Sequence, residues 1–223
     1  MKKGFTLIEL IIVLAIIAVL VAILIAVLKP TVMFARLRDS QRSADLNTIS
    51  KAIDIYISDF SQDPSKIVMT NTTTVTIATS AASSQVVGPI GGCVGSATPT
   101  IFYSAEGIPS GTSTLPSSFV AVRATSSRDV GGNGWLPVPL NQSGVISLTS
   151  LPIDPRNSKK IDDKPSYYYT YVCKSDFSYQ LLANLEINTD SEKNDGGSIS
   201  TLYEVGPNKT LITGTSSWFY PSE

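Results

Sequence analysis

Polar side chains are missing from residues 10–28, and no other apolar run in the chain approaches that length. At about 1.5 Å per helical residue this run covers roughly 28 Å, close to the hydrocarbon thickness of a bilayer. Val, Ile and Leu also suit strands, but strands usually run about 3–10 residues, so length decides for a membrane-spanning helix. Past Lys29-Pro30 the period becomes helical and two-faced. Leu46, Ile49, Ile53, Tyr56, Ile57 and Phe60 recur at spacings of three and four, with Arg42, Asp45, Lys51, Asp54 and Asp59 between them. Residues 30–61 are therefore expected to continue the helix out of the membrane with one face against a domain, and Asp63-Pro64 to end it.

Downstream the pattern shortens to a period of two. Residues 65–115 are poor in charge and read mainly as loop, with a short strand at Val75-Thr76-Ile77. Strand signals begin at 118–125, a glycine-rich turn comes next at 131–134, and Pro137 and Pro139 make 135–140 extended and edge-like. The clearest hairpin joins 167–174 to 177–184 through Ser175-Asp176. It sets Tyr167, Tyr169, Tyr171 and Cys173 on one face and Tyr168, Thr170, Val172 and Lys174 on the other. The tyrosine row reads as a sheet face packed on the helix and its neighbours. Residues 201–205 and 216–220 are expected to add edge strands, with Trp218, Phe219 and Tyr220 closing the core. The fold class is α+β: a long amino-terminal helix, membrane-spanning in its first half, packed on an antiparallel sheet. Roughly 195 residues lie beyond the anchor, enough for one globular head at 62–223.

Charge and composition narrow the chemistry. A net charge of −1 gives no support to nucleic-acid binding by bulk electrostatics. The chain has no histidine, which removes the commonest general base and the commonest metal ligand together. Asp154, Asp162, Asp163 and Glu186 could supply a catalytic carboxylate pair, but nothing in their spacing groups them, so no enzyme and no cofactor is expected. Gly88, Gly91, Gly92 and Gly95 lack the Lys-Ser/Thr that a phosphate-cradling loop needs. Asn71, Asn141 and Asn208 head short glycosylation-like triplets of little weight. The two cysteines, Cys93 and Cys173, are too few for a zinc site. In an exported domain they pair as a disulfide, worth roughly 4–5 kcal/mol for so long a loop in the chain-entropy model, or else stay as separate buried thiols.

The most specific stretch precedes the apolar run. Gly4-Phe5-Thr6-Leu7-Ile8-Glu9, after Lys2 and Lys3, resembles the cleavage and methylation signal of type IV pilins and pseudopilins. The resemblance implies that residues 1–4 are a leader and that a prepilin peptidase cuts after Gly4 and methylates Phe5. Residues 5–29 would then serve as membrane anchor and later as filament core. Cutting exposes a cationic amine at Phe5, and Glu9 of an adjacent copy, costly to leave unpaired at the membrane, would pair with it and set the register. Arg38-Asp39, Arg42, Asp45-Leu46, Ala52-Ile53 and Tyr56 are similar, less specifically, to the second half of the pilin helix. Many pilins carry a helix-loosening proline at the position of Ala26; here the proline is Pro30, which moves any loosening toward Lys29-Pro30.

The resemblance thus implies a pilin-like structural subunit of a filament. Its partners would be identical or related pilins, the peptidase, an inner-membrane assembly platform and, before assembly, membrane lipid. A pseudopilin of a secretion or DNA-uptake machine, a minor tip adhesin and a signal-anchored surface protein or enzyme are the alternatives. The head would be extracytoplasmic on a single-pass anchor and then part of a cell-surface filament. Charge alone argues against that orientation, because Lys29, Arg36, Arg38 and Arg42 outnumber Lys2 and Lys3. Major secretion pseudopilins bind calcium in a carboxy-terminal loop. The acids Asp190, Glu192 and Asp195 lack the EF-hand spacing, so a solvated turn and no metal are expected here.

Overall fold

Thr6 starts the first helix. Its hydroxyl accepts the Glu9 amide at 3.3 Å while the Glu9 carboxylate accepts the Thr6 amide at 2.8 Å, a reciprocal capping box. From there α1 (Leu7–Leu28) runs the length of the apolar stretch. The computed structural model describes residues 4–62, 74–76, 84–86, 99–105, 120–142, 144, 148–157, 160–161, 164–165, 167–174 and 177–212.

Lys29 interrupts the stem. It sits in the left-handed region (φ 43°, ψ 66°), because a residue before proline is pushed out of helical geometry, and Pro30 has no amide to continue the ladder. The Lys29 amide closes α1 on the Ile25 carbonyl at 3.3 Å, and the Val32 amide bonds to the Lys29 carbonyl at 2.9 Å to open α2 (Pro30–Gln62). The long amino-terminal helix expected is thus present, with one local break at Lys29, beside the displaced proline. Gln62 ends α2 at the expected boundary.

One stripe of α2 faces the head. Ala35, Asp39, Arg42, Leu46, Ile49, Ile53 and Tyr56 are all buried, at spacings of three and four. The apolar members pack on the inner face of a five-stranded sheet, whose order is β4 (Val120–Ala124), β3 (Thr100–Tyr103), β7 (Tyr169–Cys173), β8 (Tyr179–Ala183), β9 (Tyr203–Val205). Strands β3, β7, β8 and β9 pair antiparallel. These four form the antiparallel sheet expected, and edge strand β4 adds to it parallel to β3, with a register shift between Ile101 and Phe102. Two small ribbons stand apart: β1 (Thr74–Thr76) with β2 (Ser84–Val86), and β5 (Lys160–Ile161) with β6 (Lys164–Pro165).

The alternation of β7 decides what each face does. Tyr169, Tyr171 and Cys173 join Tyr179, Leu181 and Ala183 of β8 against Leu46, Ile49, Ile53 and Tyr56 of the helix. Tyr168 and Val172 point the other way, into a second core with Ile101, Tyr103, Leu182, Ile199, Leu202, Leu211 and Ile212. Both faces are therefore dry. Residues 135–140 form no edge strand; beyond a single bridge from Pro139 to Gly131 they cross irregularly, and Trp135, Leu136, Val138 and Leu140 fill the space beneath α2. Prolines 137 and 139 withhold ladder donors, so this segment contributes side chains instead of hydrogen bonds. The indole of Trp135 donates to the Pro152 carbonyl at 3.0 Å. The expected strand at 216–220, with Trp218, Phe219 and Tyr220, lies outside the described residues.

Candidate functional site

No residue of α1 is buried. Phe5 is 88% exposed, and every large side chain from Leu7 to Leu28 stands open along the helix, which is long and apolar enough to cross a membrane. So large an uncovered apolar surface is stable only in lipid or against other copies of such a helix. Gly4 is exposed as well, and a Cβ there would meet nothing within 4 Å. The fold itself does not require glycine at this position.

Glu9 is better provided for than its sequence neighbourhood suggests. Its Oε2 accepts both the amide and the hydroxyl of Thr6 at 2.8 Å, so its own chain supplies two donors. The signal is present as Thr6-x-x-Glu9, the spacing of a capping box. Among the described residues Oε1 accepts no hydrogen bond, which leaves one oxygen for an outside donor.

At the foot of the head the chain builds a second charged centre, with charges that sum to zero. Arg42, fully buried, grips Asp154 in a fork, Nε to Oδ2 at 2.6 Å and Nη2 to Oδ1 at 3.0 Å. Its Nη1 reaches Asp39 Oδ1 at 2.8 Å and Glu186 Oε1 at 2.9 Å. Arg38 forks onto Glu186 at 2.7 and 2.6 Å, and Arg156 Nη1 adds a contact at 2.8 Å. The Tyr167 ring faces the guanidinium carbons of Arg42 and Arg156 at 4.8 and 4.4 Å, so it covers the cluster instead of joining the tyrosine row. Asp39 accepts the amides of Glu186, Ile187 and Asn188 at 2.8, 3.0 and 3.1 Å. Burial pushes the Glu186 carboxyl up, but hydrogen bonds from Arg38 and Arg42 and the charges of Arg42 and Arg156 outweigh it and hold the carboxyl at about 2.

The cluster pins α2 to the two loops that flank the central hairpin. Farther along, Tyr169 donates to Asp45 at 2.7 Å and Tyr179 to Asp54 at 2.6 Å, so polar ties continue up the helix. Two of the carboxylates singled out in the sequence, Asp154 and Glu186, are brought together, but as partners of Arg42; Asp162 and Asp163 lie outside the described residues.

The acidic tail turns inward. Glu192, in α3 (Thr189–Lys193), accepts the Leu185 amide at 2.9 Å. Glu204 accepts the Ile199 amide at 2.8 Å and a bond from Gln180, and Asp195 accepts the Glu204 amide at 2.6 Å. Glu192 and Glu204 are buried, contrary to the solvated turn expected, because β9 and α3 fold their carboxylates under the sheet. Among the described residues no group of three or more His, Cys, Asp or Glu side chains could hold a metal ion.

Burial raises Glu192 to about 7, with Asp39 and Asp195 pushing the same way and the Leu185 amide and Lys193 opposing. Glu204 also rises to about 7, by burial and Asp195, against the Ile199 amide, Gln180 and Lys209. Acids raised in the folded state stabilise it fully below their unfolded value, near 4.5, and lose that contribution as pH rises through about 7. Glu186, depressed, contributes above 4.5 and loses its share as pH falls toward 2. The unfolding midpoint of the head is therefore expected to peak near pH 4.5 and to fall by roughly 5 °C toward pH 8. Glu192→Gln, which keeps the acceptor for Leu185, should flatten the alkaline limb; an unchanged limb would show that this acid does not titrate there.

Cys173, at the end of β7, is disulfide-bonded; Cys93 lies outside the described residues.

With this geometry in place, comparison with known proteins adds one match. Residues 1–25 fit the family model of the prokaryotic N-terminal methylation motif, the signal of type IV pilins and pseudopilins. No curated protein and no solved structure matches the chain. The motif implies processing by a prepilin peptidase and assembly into filaments, and with the apolar helix it fits a protein anchored in the membrane before assembly.

Proposed function

We propose that this chain, bearing a type IV pilin signal on an uncovered helix of membrane length, is a structural subunit of a type IV pilus-like filament. The carrying observation is the coincidence of the methylation motif at 1–25 with an α1 that buries none of its residues. A helix exposed on every side needs surroundings on every side, and those change from lipid to neighbouring α1 helices as subunits leave the membrane. Contacts between successive copies that do not close into a ring generate a filament. Cleavage after Gly4 frees the Phe5 amine, and Oε1 of Glu9 on an adjacent copy receives it.

The second charged centre suits the same role. Extraction pulls on the stem, and the Arg42 cluster with the Tyr169 and Tyr179 ties transmits that pull to the head. The head's part is structural: Asp39, Asp154 and Glu186 are held by Arg38 and Arg42 and so fasten the helix to the head. A Cys93–Cys173 bond would brace the loop region against β7 in an oxidising compartment.

Expression in a host with a pilus assembly system is expected to put the processed chain in sheared surface fibres, visible by immunogold labelling of the head. Processed chain that stays entirely in the membrane fraction while the host's own fibres assemble would contradict the filament reading.

A further inference from the structure

Lys29 and Arg36 make no ion pair among the described residues, whereas Arg38 and Arg42 are spent on the head. Within α2, Met33, Phe34, Arg36 and Leu37 are exposed while Ala35, Asp39 and Arg42 are buried, and exposed Lys29 comes directly before this helix. Met33, Phe34 and Leu37 are 52, 60 and 64% exposed. Two unneutralised cations are thus interleaved with three bare apolar side chains, directly after a membrane-length helix. Met33 and Phe34 lie roughly 8–9 Å beyond Leu28 along an upright helix, about the depth of one headgroup layer, and the Lys29 break lets α2 lean so that Leu37 comes lower.

We propose that Lys29, Met33, Phe34, Arg36 and Leu37 form a collar that rests in anionic phospholipid headgroups on the head's side of the membrane before assembly. The apolar members insert at the boundary with the acyl chains, and the two cations meet lipid phosphates, the arrangement of an interfacial amphipathic segment. The lipid's opposite charge and its position, about one headgroup layer beyond the end of α1, select this occupant. The inference rests on α1 spanning the bilayer, and the test separates the two.

The full-length chain is placed in vesicles of phosphatidylcholine alone or with a third phosphatidylglycerol. A spin label is attached at Leu37→Cys or, as the anchor control, at Leu20→Cys, and depth is read from collisions with oxygen and a nickel chelate. The expected result is a Leu37 label at headgroup depth with phosphatidylglycerol, shifted outward into water with phosphatidylcholine alone or in the Lys29→Gln, Arg36→Gln variant. A Leu37 label in water under all conditions, or at equal depth in both lipids, overturns the collar. Spin–spin broadening at Leu37 would show a second copy there and overturn it as well. A Leu20 label outside the acyl region would instead overturn the membrane reading beneath it.

Discussion

Arg42→Ala is expected to cost the head about 3–5 kcal/mol, a large share of the stability of a domain this size. The reason is what remains behind. Asp154 keeps a side chain with no exposure, Asp39 one with 2%, and both lose their buried guanidinium partner. Glu186 retains Arg38 and Arg156, so its loss is partial. The Tyr167 ring loses one of its two cations. Arg42→Lys separates charge from geometry: an ammonium keeps the sign but cannot fork onto Asp154 while reaching Asp39 and Glu186, so an intermediate loss is expected. Denaturant unfolding of the full chain in detergent, tracked by fluorescence with Trp135 in the core, would measure both. Losses under 1 kcal/mol in both variants would mean that the cluster does not hold the stem.

Glu9 variants are expected to act on assembly and spare the head. Glu9→Ala removes the carboxylate half of the capping box, leaving only the Thr6 hydroxyl on the residue-9 amide, together with the charge proposed to receive a neighbour's amine. Glu9→Gln keeps the box, since an amide oxygen still accepts from Thr6, and loses only the charge. If register depends on the ion pair, both variants should insert into membranes and lose assembly, each contact weakening by roughly 30-fold. If the cap alone mattered, Glu9→Gln would build filaments normally while Glu9→Ala and Thr6→Ala would not. Filament yield in shear fractions, set against membrane-inserted subunit, distinguishes these outcomes.

The elements easiest to read from sequence are those whose burial is apolar and periodic. The run at 10–28, the stripe from Leu46 to Tyr56 and the alternation of Tyr169, Tyr171 and Cys173 each repeat a single physical demand several times. Strand β3 is hidden because Thr100–Tyr103 is four residues long and comes after Pro99, inside a stretch whose small polar residues read as loop. The parallel pairing of β4 depends on a crossover, and no local pattern encodes that.

The ion cluster is illegible in the sequence for a different reason. Asp39 and Arg42 continue the helix stripe toward Ala35, but charged residues on a stripe resemble a solvated face until Asp154 and Glu186 arrive from more than a hundred residues away. In the sequence, Arg38-Asp39 and Arg42 stand out only as a pilin-like phrase, and Asp154 and Glu186 only as scattered acids. The buried Glu192 and Glu204 escape similarly, because an acid-rich turn gives no hint that the sheet edge folds over it.

The intact mass of the protein recovered from membranes bears most directly on the claim that this chain is a processed filament subunit. The expected mass is that of the chain from Phe5 onward plus one methyl group, with two further hydrogens lost if the cysteines are bonded. A mass equal to the full 223 residues, in a host with an active prepilin peptidase, would contradict it.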